Sequence, residues 1–400
     1  MAGICYIAPD VEVPHYRGSS THVLELSKAL TALGHRVHVI ARRGRRGLEV
    51  EEIDGITFHR VYRGIVGPVS ARPAGEGSSG ASSSAMGGVY GRAYRLYLET
   101  CFALYVGYVS ARIIDSCGLD VIIERETAFG AGAIASTMTG KPMVLEMIGP
   151  RFSSASMKRS AKVLAYSERM VPKEAMKKAV FVRAAVNLDL FKPNPEAGKM
   201  VRQRLGLNGA VTVGYVGSFL GWHGVDDLLD AAEIIKGESG RVEFLMVGPH
   251  AESIVRSAEE RGLRDSFRFV GPVPYEEVPS YVNACDILVA PYNILHTASR
   301  RTKGIGSPLK VLEYMACGKP AIGSDLPQVA DLVKDGETGL LFPQGDARSL
   351  ASAIMMLADN LDYRQRLGNQ ALSRVSEQYS WQTLAGQVSS ILEEVRVHHG

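Results

Sequence analysis

The 400 residues include only five cysteines and two tryptophans. Cys5, Cys101, Cys117, Cys285 and Cys317 are scattered and form no Cys-x-x-Cys pair. This excludes a disulfide framework and a thiolate zinc site, and it fits free thiols in a reducing compartment. No apolar run is long enough for a bilayer-spanning helix. No basic leader precedes the short apolar run Gly3 to Ala8, so no secretory signal is expected. Charge of one sign is also scarce. A formal net charge of +3 gives no sequence-wide attraction to nucleic acid, so any basic surface must be local. The densest candidate is Ala41-Arg42-Arg43-Gly44-Arg45-Arg46-Gly47, which reads either as a solvated loop or as a contact with phospholipid head groups or an anionic acceptor. Finally, no Gly-x-Gly-x-x-Gly follows the first apolar run, which excludes a dinucleotide fingerprint there.

Hydrophobic content of 46% with 22% charge suits a soluble α/β protein, and the length suits two domains. Ile4 to Ala8 reads as a first buried strand. After the loop Pro9 to Ser20, Thr21 to Leu33 has helical periodicity through Val23, Leu26, Ala29, Leu30 and Leu33, and Arg36 to Ile40 is a second strand. Such β-loop-α-β units build a parallel doubly wound sheet. Residues 71–91 are rich in Gly, Ser and Ala and read as a surface loop. Val89 to Cys117 carries many aromatics and leucines, fitting a buried helix or one that meets a lipid. Asp120 to Glu126 is a strand ending in Glu124, Arg125 and Glu126, placing charges where such sheets bind ligands. Lys141 to Glu146 is a further strand. A boundary rich in Asn, Asp and Pro follows near Val186 to Pro193, and the strand–helix rhythm then restarts.

One later stretch combines helix punctuation with unusual charges. Ser307 is placed to cap a helix, Pro308 suits its first position, Gly318 its left-handed end, and Pro320 stops it. Leu309, Leu312, Met315 and Ala316 form its apolar stripe. Lys310 stands in the first turn, where the helix dipole disfavours a cation, and Glu313 shares its face. A bound anion would account for the lysine, and ligand hydroxyls for the glutamate. An ordinary surface Lys–Glu pair fits the spacing equally well.

The motifs taken in order resemble the family 4 retaining glycosyltransferases, which have the GT-B fold. They are Gly18-Ser19 before Thr21-His22-Val23-Leu24-Glu25-Leu26, Leu33 to Val39, Asn187 to Pro193, Val216-Gly217-Ser218-Phe219 leading to Trp222-His223-Gly224-Val225-Asp226, Leu312 to Pro320, and Asp335 to Pro343. The resemblance implies two Rossmann-like, doubly wound parallel-sheet domains facing a central cleft. Residues 1–185 form the acceptor-side domain, with the final helix 381–400 packing back on it. Residues 186–205 form a linker and 206–380 the donor domain. The donor is a nucleoside-diphosphate sugar, UDP- or GDP-linked, and the acceptor a glycan or a lipid-linked molecule. No cofactor or metal is required, and nucleic acid is not a partner. The resemblance places substrate contacts at Gly18, Ser19, Ser218, Gly248, Val273, Gly306, Ser307, Pro308, Leu309 and Glu313, with Glu313 on the donor ribose and Val273 near the base.

The sequence departs from that pattern in places that bear on chemistry. Ile305 stands where the family has the first glutamate of Glu-x7-Glu. Ser218 and His223 stand in place of its Arg and Lys, and Arg125 replaces its N-terminal-domain histidine. Lys310 is therefore the candidate to carry the missing positive charge, with His223 opposite it. Arg301 and Lys303 read as solvated loop charges. Glu124 and Arg125 are candidates for the acceptor-side catalytic groups, or form an internal ion pair. The expectation is a cytoplasmic hexosyltransferase. The basic run and the tyrosine-rich segment hint at peripheral contact with the inner face of the membrane. Two rivals are an epimerase-like GT-B enzyme and a catalytically silent nucleotide-sugar-binding subunit.

Overall fold

The computed structural model describes residues 1–14, 18–43, 49–62, 89–125, 130–148, 152–166, 168, 171–207, 211–238, 242–249, 251–295 and 308–398, and for 89–93 and 95 the backbone only. The chain divides into two compact units, Met1–Arg183 with Trp381–Gly400, and Ala184–Ser380. The Gly/Ser/Ala-rich stretch falls almost wholly outside the described residues, as do Gly306, Ser307, Arg301, Lys303 and Ile305.

In the first unit the strands are β1 (Gly3–Glu12), β2 (Arg36–Arg42), β3 (Val50–Ile53), β4 (Ile56–Val61), β5 (Val121–Arg125), β6 (Met143–Met147), β7 (Lys162–Ala165) and β8 (Ala179–Phe181). Its helices are α1 (Gly18–Ala32), α2 (Val89–Cys117), α3 (Ala131–Thr139) and α4 (Ser154–Arg159). The sheet order is β3-β4-β2-β1-β5-β6-β7-β8. Apolar runs such as Ile4–Ala8 and Val121–Ile123 are buried, as parallel strands covered on both faces must be. The sheet is not wholly parallel, however. β3 pairs with β4 in antiparallel fashion through the two-residue turn Asp54-Gly55. Both turn residues have positive φ (53° and 76°), as the hairpin turn that follows the twist of the strands requires. Helix α1 starts at Gly18, three residues earlier than the apolar periodicity indicates, and stops at Ala32, leaving Leu33 exposed. Helix α2 is neither fully buried nor fully free. Phe102, Val106, Ser110 and Ile114 pack inward, whereas Tyr94, Tyr97, Leu104, Tyr105 and Tyr108 lie exposed.

The second unit holds β9 (Val211–Val216), β10 (Val242–Val247), β11 (Phe267–Gly271), β12 (Ile287–Ala290), β13 (Ala321–Ser324) and β14 (Gly339–Phe342). Its helices are α5 (Pro195–Leu205), α6 (Val225–Glu238), α7 (Glu252–Glu260), α8 (Val278–Ala284), α9 (Leu309–Ala316), α10 (Pro327–Ala330), α11 (Ala347–Asp359) and α12 (Leu361–Gln378). All paired strands are parallel, in the order β11-β10-β9-β12-β13-β14. The last helix, α13 (Trp381–Val397), belongs to the first unit.

Strand order reverses beside β1 in the first sheet and beside β9 in the second. At such switch points the connections leave on opposite faces and open a crevice at the carboxyl ends of the strands. Each unit therefore has one position where a ligand is expected, and each gathers polar side chains there.

Candidate active site

In the second unit the site is built on the carboxyl ends of β9 and β12. Pairing of β9 with β12 covers only Val213 and Gly214, so Val216 lacks a strand partner on that side. Tyr314, buried on α9, fills the gap. Its hydroxyl accepts from Val216 N (2.9 Å) and donates to Val216 O (2.9 Å). Buried backbone groups must be paired, so this tyrosine fixes α9 against the strand end. One turn earlier on α9, Lys310 reaches the same place. Its Nζ donates to the Tyr215 hydroxyl (2.9 Å) and lies 4.5 Å and 5.0 Å from the ring centroids of Tyr215 and Tyr292. The Tyr215 hydroxyl passes the network on by donating to Ser218 O (2.6 Å).

Two glycines make room for this head group. A Cβ on Gly217 would lie 2.7 Å from Lys310 Nζ, and one on Gly248 only 2.0 Å from Gly217 O. Both residues have positive φ (151° and 145°), so their lack of a side chain answers conformation and space together.

Electrostatics make Lys310 and Glu313 unusual. Burial pushes Lys310 down to about 7, against the opposing pull of Glu313. Burial likewise pushes Glu313 up to about 7, while a hydrogen bond from the Tyr275 hydroxyl (3.3 Å to Oε1) and the charge of Lys310 pull it down. Both side chains keep some accessible surface, although their head groups sit deep among protein atoms. The two charges partly support one another, and neither is saturated with partners. His223 is different. Burial, reinforced by the charge of Lys310, pushes it down to about 3, so its imidazole is neutral. Its Nδ1 contacts Ser218 O and stands 3.3 Å from Ser218 Oγ. A carbonyl oxygen only accepts, so Nδ1 carries the proton and Nε2 presents a bare lone pair. Trp222 flanks this ring, with centroids 3.9 Å apart, and stacks on Tyr292 at 5.9 Å, a packing role.

The remaining donor-side positions are placed as follows. Ser218 and Gly248 follow β9 and β10, and Val273 is half-buried in the loop after β11 beside Tyr275. Pro308 is the residue that caps α9 and not its first helical residue, so helix geometry begins at Leu309. Gly318 has φ 70°, as a residue just past the helix end should. Gly306 and Ser307 lie outside the described residues. A cavity of about 760 Å³ in this unit is lined by Arg202, Asn283, Cys317 and Lys319 among others. It sits at the carboxyl end of α9, away from Lys310 and Glu313.

In the first unit Gly18 and Ser19 form the opening turn of α1. Glu124 and Arg125 do not make an internal ion pair, because alternation along β5 sends them to opposite faces. Glu124 is fully buried against the first turn of α3, where a Cβ on Gly132 would lie 2.6 Å from its Oε2. Arg125 is in register with Glu146 of β6 and shares its face. Here lies a cluster that the sequence reading did not single out. Glu146, fully buried, accepts from the hydroxyls of Tyr6 (2.5 Å) and Tyr166 (2.7 Å) and from His22 Nε2 (2.7 Å). Burial alone would raise its pKa, but His22, Arg125 and Tyr6 together bring it down to about 2. Trp381 of α13 packs edge-on against His22, with centroids 5.2 Å apart. The available signal was a glutamate inside the apolar strand Met143–Met147, and a histidine four residues before Leu26 on the inward face of α1.

Among the described residues, no group of three or more His, Cys, Asp or Glu side chains is placed to hold a metal ion, and no helix is long and apolar enough to cross a membrane.

Comparison with known proteins fits this architecture. Residues 210–360 match the model described as "Glycosyl transferases group 1", and residues 16–147 that of "Glycosyltransferase Family 4". The chain is 26% identical to an alpha-D-kanosaminyltransferase of Streptomyces kanamyceticus over 49% of its own length and 48% of the relative's. It is 26% identical to a GDP-mannose-dependent alpha-(1-6)-phosphatidylinositol monomannoside mannosyltransferase of Mycobacterium tuberculosis, over 53% and 55%. These alignments thus span about half the length of each relative. A D-inositol 3-phosphate glycosyltransferase of a Nocardioides species is 24% identical over 95% of this chain and 85% of that one. Among solved structures, sucrose-phosphate synthase of Thermosynechococcus elongatus matches with a TM-score of 0.76 and 20% identity, covering all of both chains. Anabaena HepE in complex with UDP matches at 0.72 and 16%, covering 98% of this chain and all of that one. The chain thus carries a glycosyltransferase family 4 domain in residues 16–147 and a glycosyltransferase group 1 domain in residues 210–360, and it has the GT-B fold of its full-length structural neighbours.

Proposed function

We propose that the protein transfers a hexose-type sugar, with retention, from a UDP- or GDP-linked donor to a glycan or lipid-linked acceptor. The observation that carries this reading is the Lys310–Glu313 face of α9, set at the switch point of the second sheet with both groups held near pKa 7. Glu313 takes the ribose hydroxyls. Lys310 takes the diphosphate, whose negative charge grows as the sugar leaves, and a preorganised cation is worth most there. With retention, the leaving phosphate and the acceptor hydroxyl share one face of the sugar. The hydroxyl proton passes to a phosphate oxygen, so no strong protein base is needed. His223 meets this site with a bare Nε2, and so acts by accepting a hydrogen bond or by shape, not as a cation.

The names of relatives support this reading without fixing the donor, since one uses GDP-mannose and a structural neighbour holds UDP. The exposed face of α2, with Tyr94, Tyr97, Leu104 and Tyr108, suits the head-group layer of a membrane, where aromatic rings with a polar tip settle. We read it as a peripheral contact at the inner face.

The test is product analysis by mass spectrometry with a panel of UDP- and GDP-sugars and glycan or lipid-linked acceptors. A glycosylated acceptor is expected. A changed donor without acceptor would favour the epimerase reading. Nucleotide binding with no product across the panel would favour a silent binding subunit, which the replacement of the family's Arg and Lys by Ser218 and His223 makes a concrete alternative.

A further inference from the structure

The arginines of the first unit divide into two kinds. Arg36, Arg42, Arg60, Arg159 and Arg396 each donate to a backbone oxygen, a serine or a carboxylate. Arg125 does not. Among the described residues its guanidinium has no hydrogen bond or ion pair, although the residue is partly buried and its Nε is fully covered. It sits at the carboxyl end of β5, beside the strand-order reversal of its sheet.

The carboxylate in register with it on β6 feels its charge but takes no hydrogen bond from it. Glu146 is already served by Tyr6, Tyr166 and His22, three donors for its two oxygens. Glu124, the next residue along β5, faces the other side of the sheet against Gly132. The cluster therefore serves its own anion with two hydroxyls and an imidazole, and the planar fork of Arg125 donates no hydrogen bond to it. A guanidinium in that state matches an oxyanion in two-point geometry, as a phosphate or carboxylate offers.

We propose that Arg125 is the anion subsite for the acceptor, so that the acceptor carries a phosphate or carboxylate group close to the hydroxyl that is glycosylated. The Glu146–Tyr6–Tyr166–His22 array beneath it is a positioning device that keeps the fork free by serving the Glu146 carboxylate with other donors. This inference rests on the reading that the first unit takes the acceptor.

The experiment is calorimetric titration of the full chain with glycerol 3-phosphate and with glucuronate, and co-sedimentation with phosphatidylcholine vesicles with and without phosphatidylinositol. Binding is expected to at least one of these, and to weaken about tenfold or more in Arg125→Gln and less in Arg125→Lys, which keeps the charge and loses the fork. Weakening with the soluble anions assigns a soluble acceptor, and weakening with the phosphatidylinositol vesicles alone assigns a lipid head group. Wild-type protein that binds none of the probes, or Arg125→Gln that binds them equally well, overturns the inference. Thermal shift by nucleoside diphosphates, read on the same samples, reports the second unit separately. Its retention in Arg125→Gln shows that the variant is folded, and its absence in the wild type would count against the donor reading and not against this one.

Discussion

The two switch points solve the burial of charge in opposite ways. In the first unit Glu146 is a buried carboxylate with three hydrogen-bond donors turned towards it, and it stays ionised down to about 2. In the second unit Lys310 and Glu313 have one protein hydrogen bond each and titrate near 7. Saturated hydrogen bonding fixes a charge as part of the structure. Unsaturated burial leaves charge poised for something that arrives. The difference marks the first cluster as scaffold and the second as a place where binding energy is exchanged.

The largest expected effect breaks the saturated side. Glu146→Ala leaves two tyrosine hydroxyls and an imidazole without their acceptor, and should cost about 3–5 kcal/mol in the unfolding of the first unit, measured by urea denaturation with a probe in that unit. The same cluster has a pH signature. The folded pKa of Glu146 lies below its usual 4.5, so its contribution, about 3 kcal/mol, is fully present above about 4.5 and lost as pH falls towards 2. Acid unfolding of Glu146→Gln should lack that part of the slope.

On the unsaturated side, Lys310→Ala should lower turnover about tenfold to a thousandfold while the fold persists, and an undiminished rate would remove Lys310 from the mechanism. A smaller effect concerns the scaffold under it. Tyr314→Phe leaves the Val216 N–H and C=O unpaired and should cost about 1–3 kcal/mol, with donor binding weakened as α9 loosens, as thermal unfolding with and without nucleotide would report.

The contrast between these two sites was only half legible in the sequence. The Lys310–Glu313 face could be read because both residues lie on one short helix with marked ends, and local spacing determines which side chains share a face. The parallel strands of the second unit were legible for a similar reason, being short apolar runs between glycines. The Glu146 cluster was not, because its members come from β1, α1, β6 and the residue after β7, up to 160 positions apart from Tyr6 to Tyr166. No local period links them, and only sheet register brings them together. The β3–β4 hairpin escaped because its strands are short and half-exposed, so little apolar pattern marks them. The pairing of Glu124 with Arg125 failed on a rule available from the start, since neighbours on a strand face opposite ways.

The most direct test of the central claim is nucleoside-diphosphate affinity as a function of pH, measured by calorimetry on the full chain. Lys310 is charged below about 7 and Glu313 is charged above about 7, so affinity should peak near neutrality. The alkaline limb should vanish in Lys310→Met and the acid limb in Glu313→Gln. Affinity that is unchanged in both variants across the pH range would contradict the assignment of this helix to the donor.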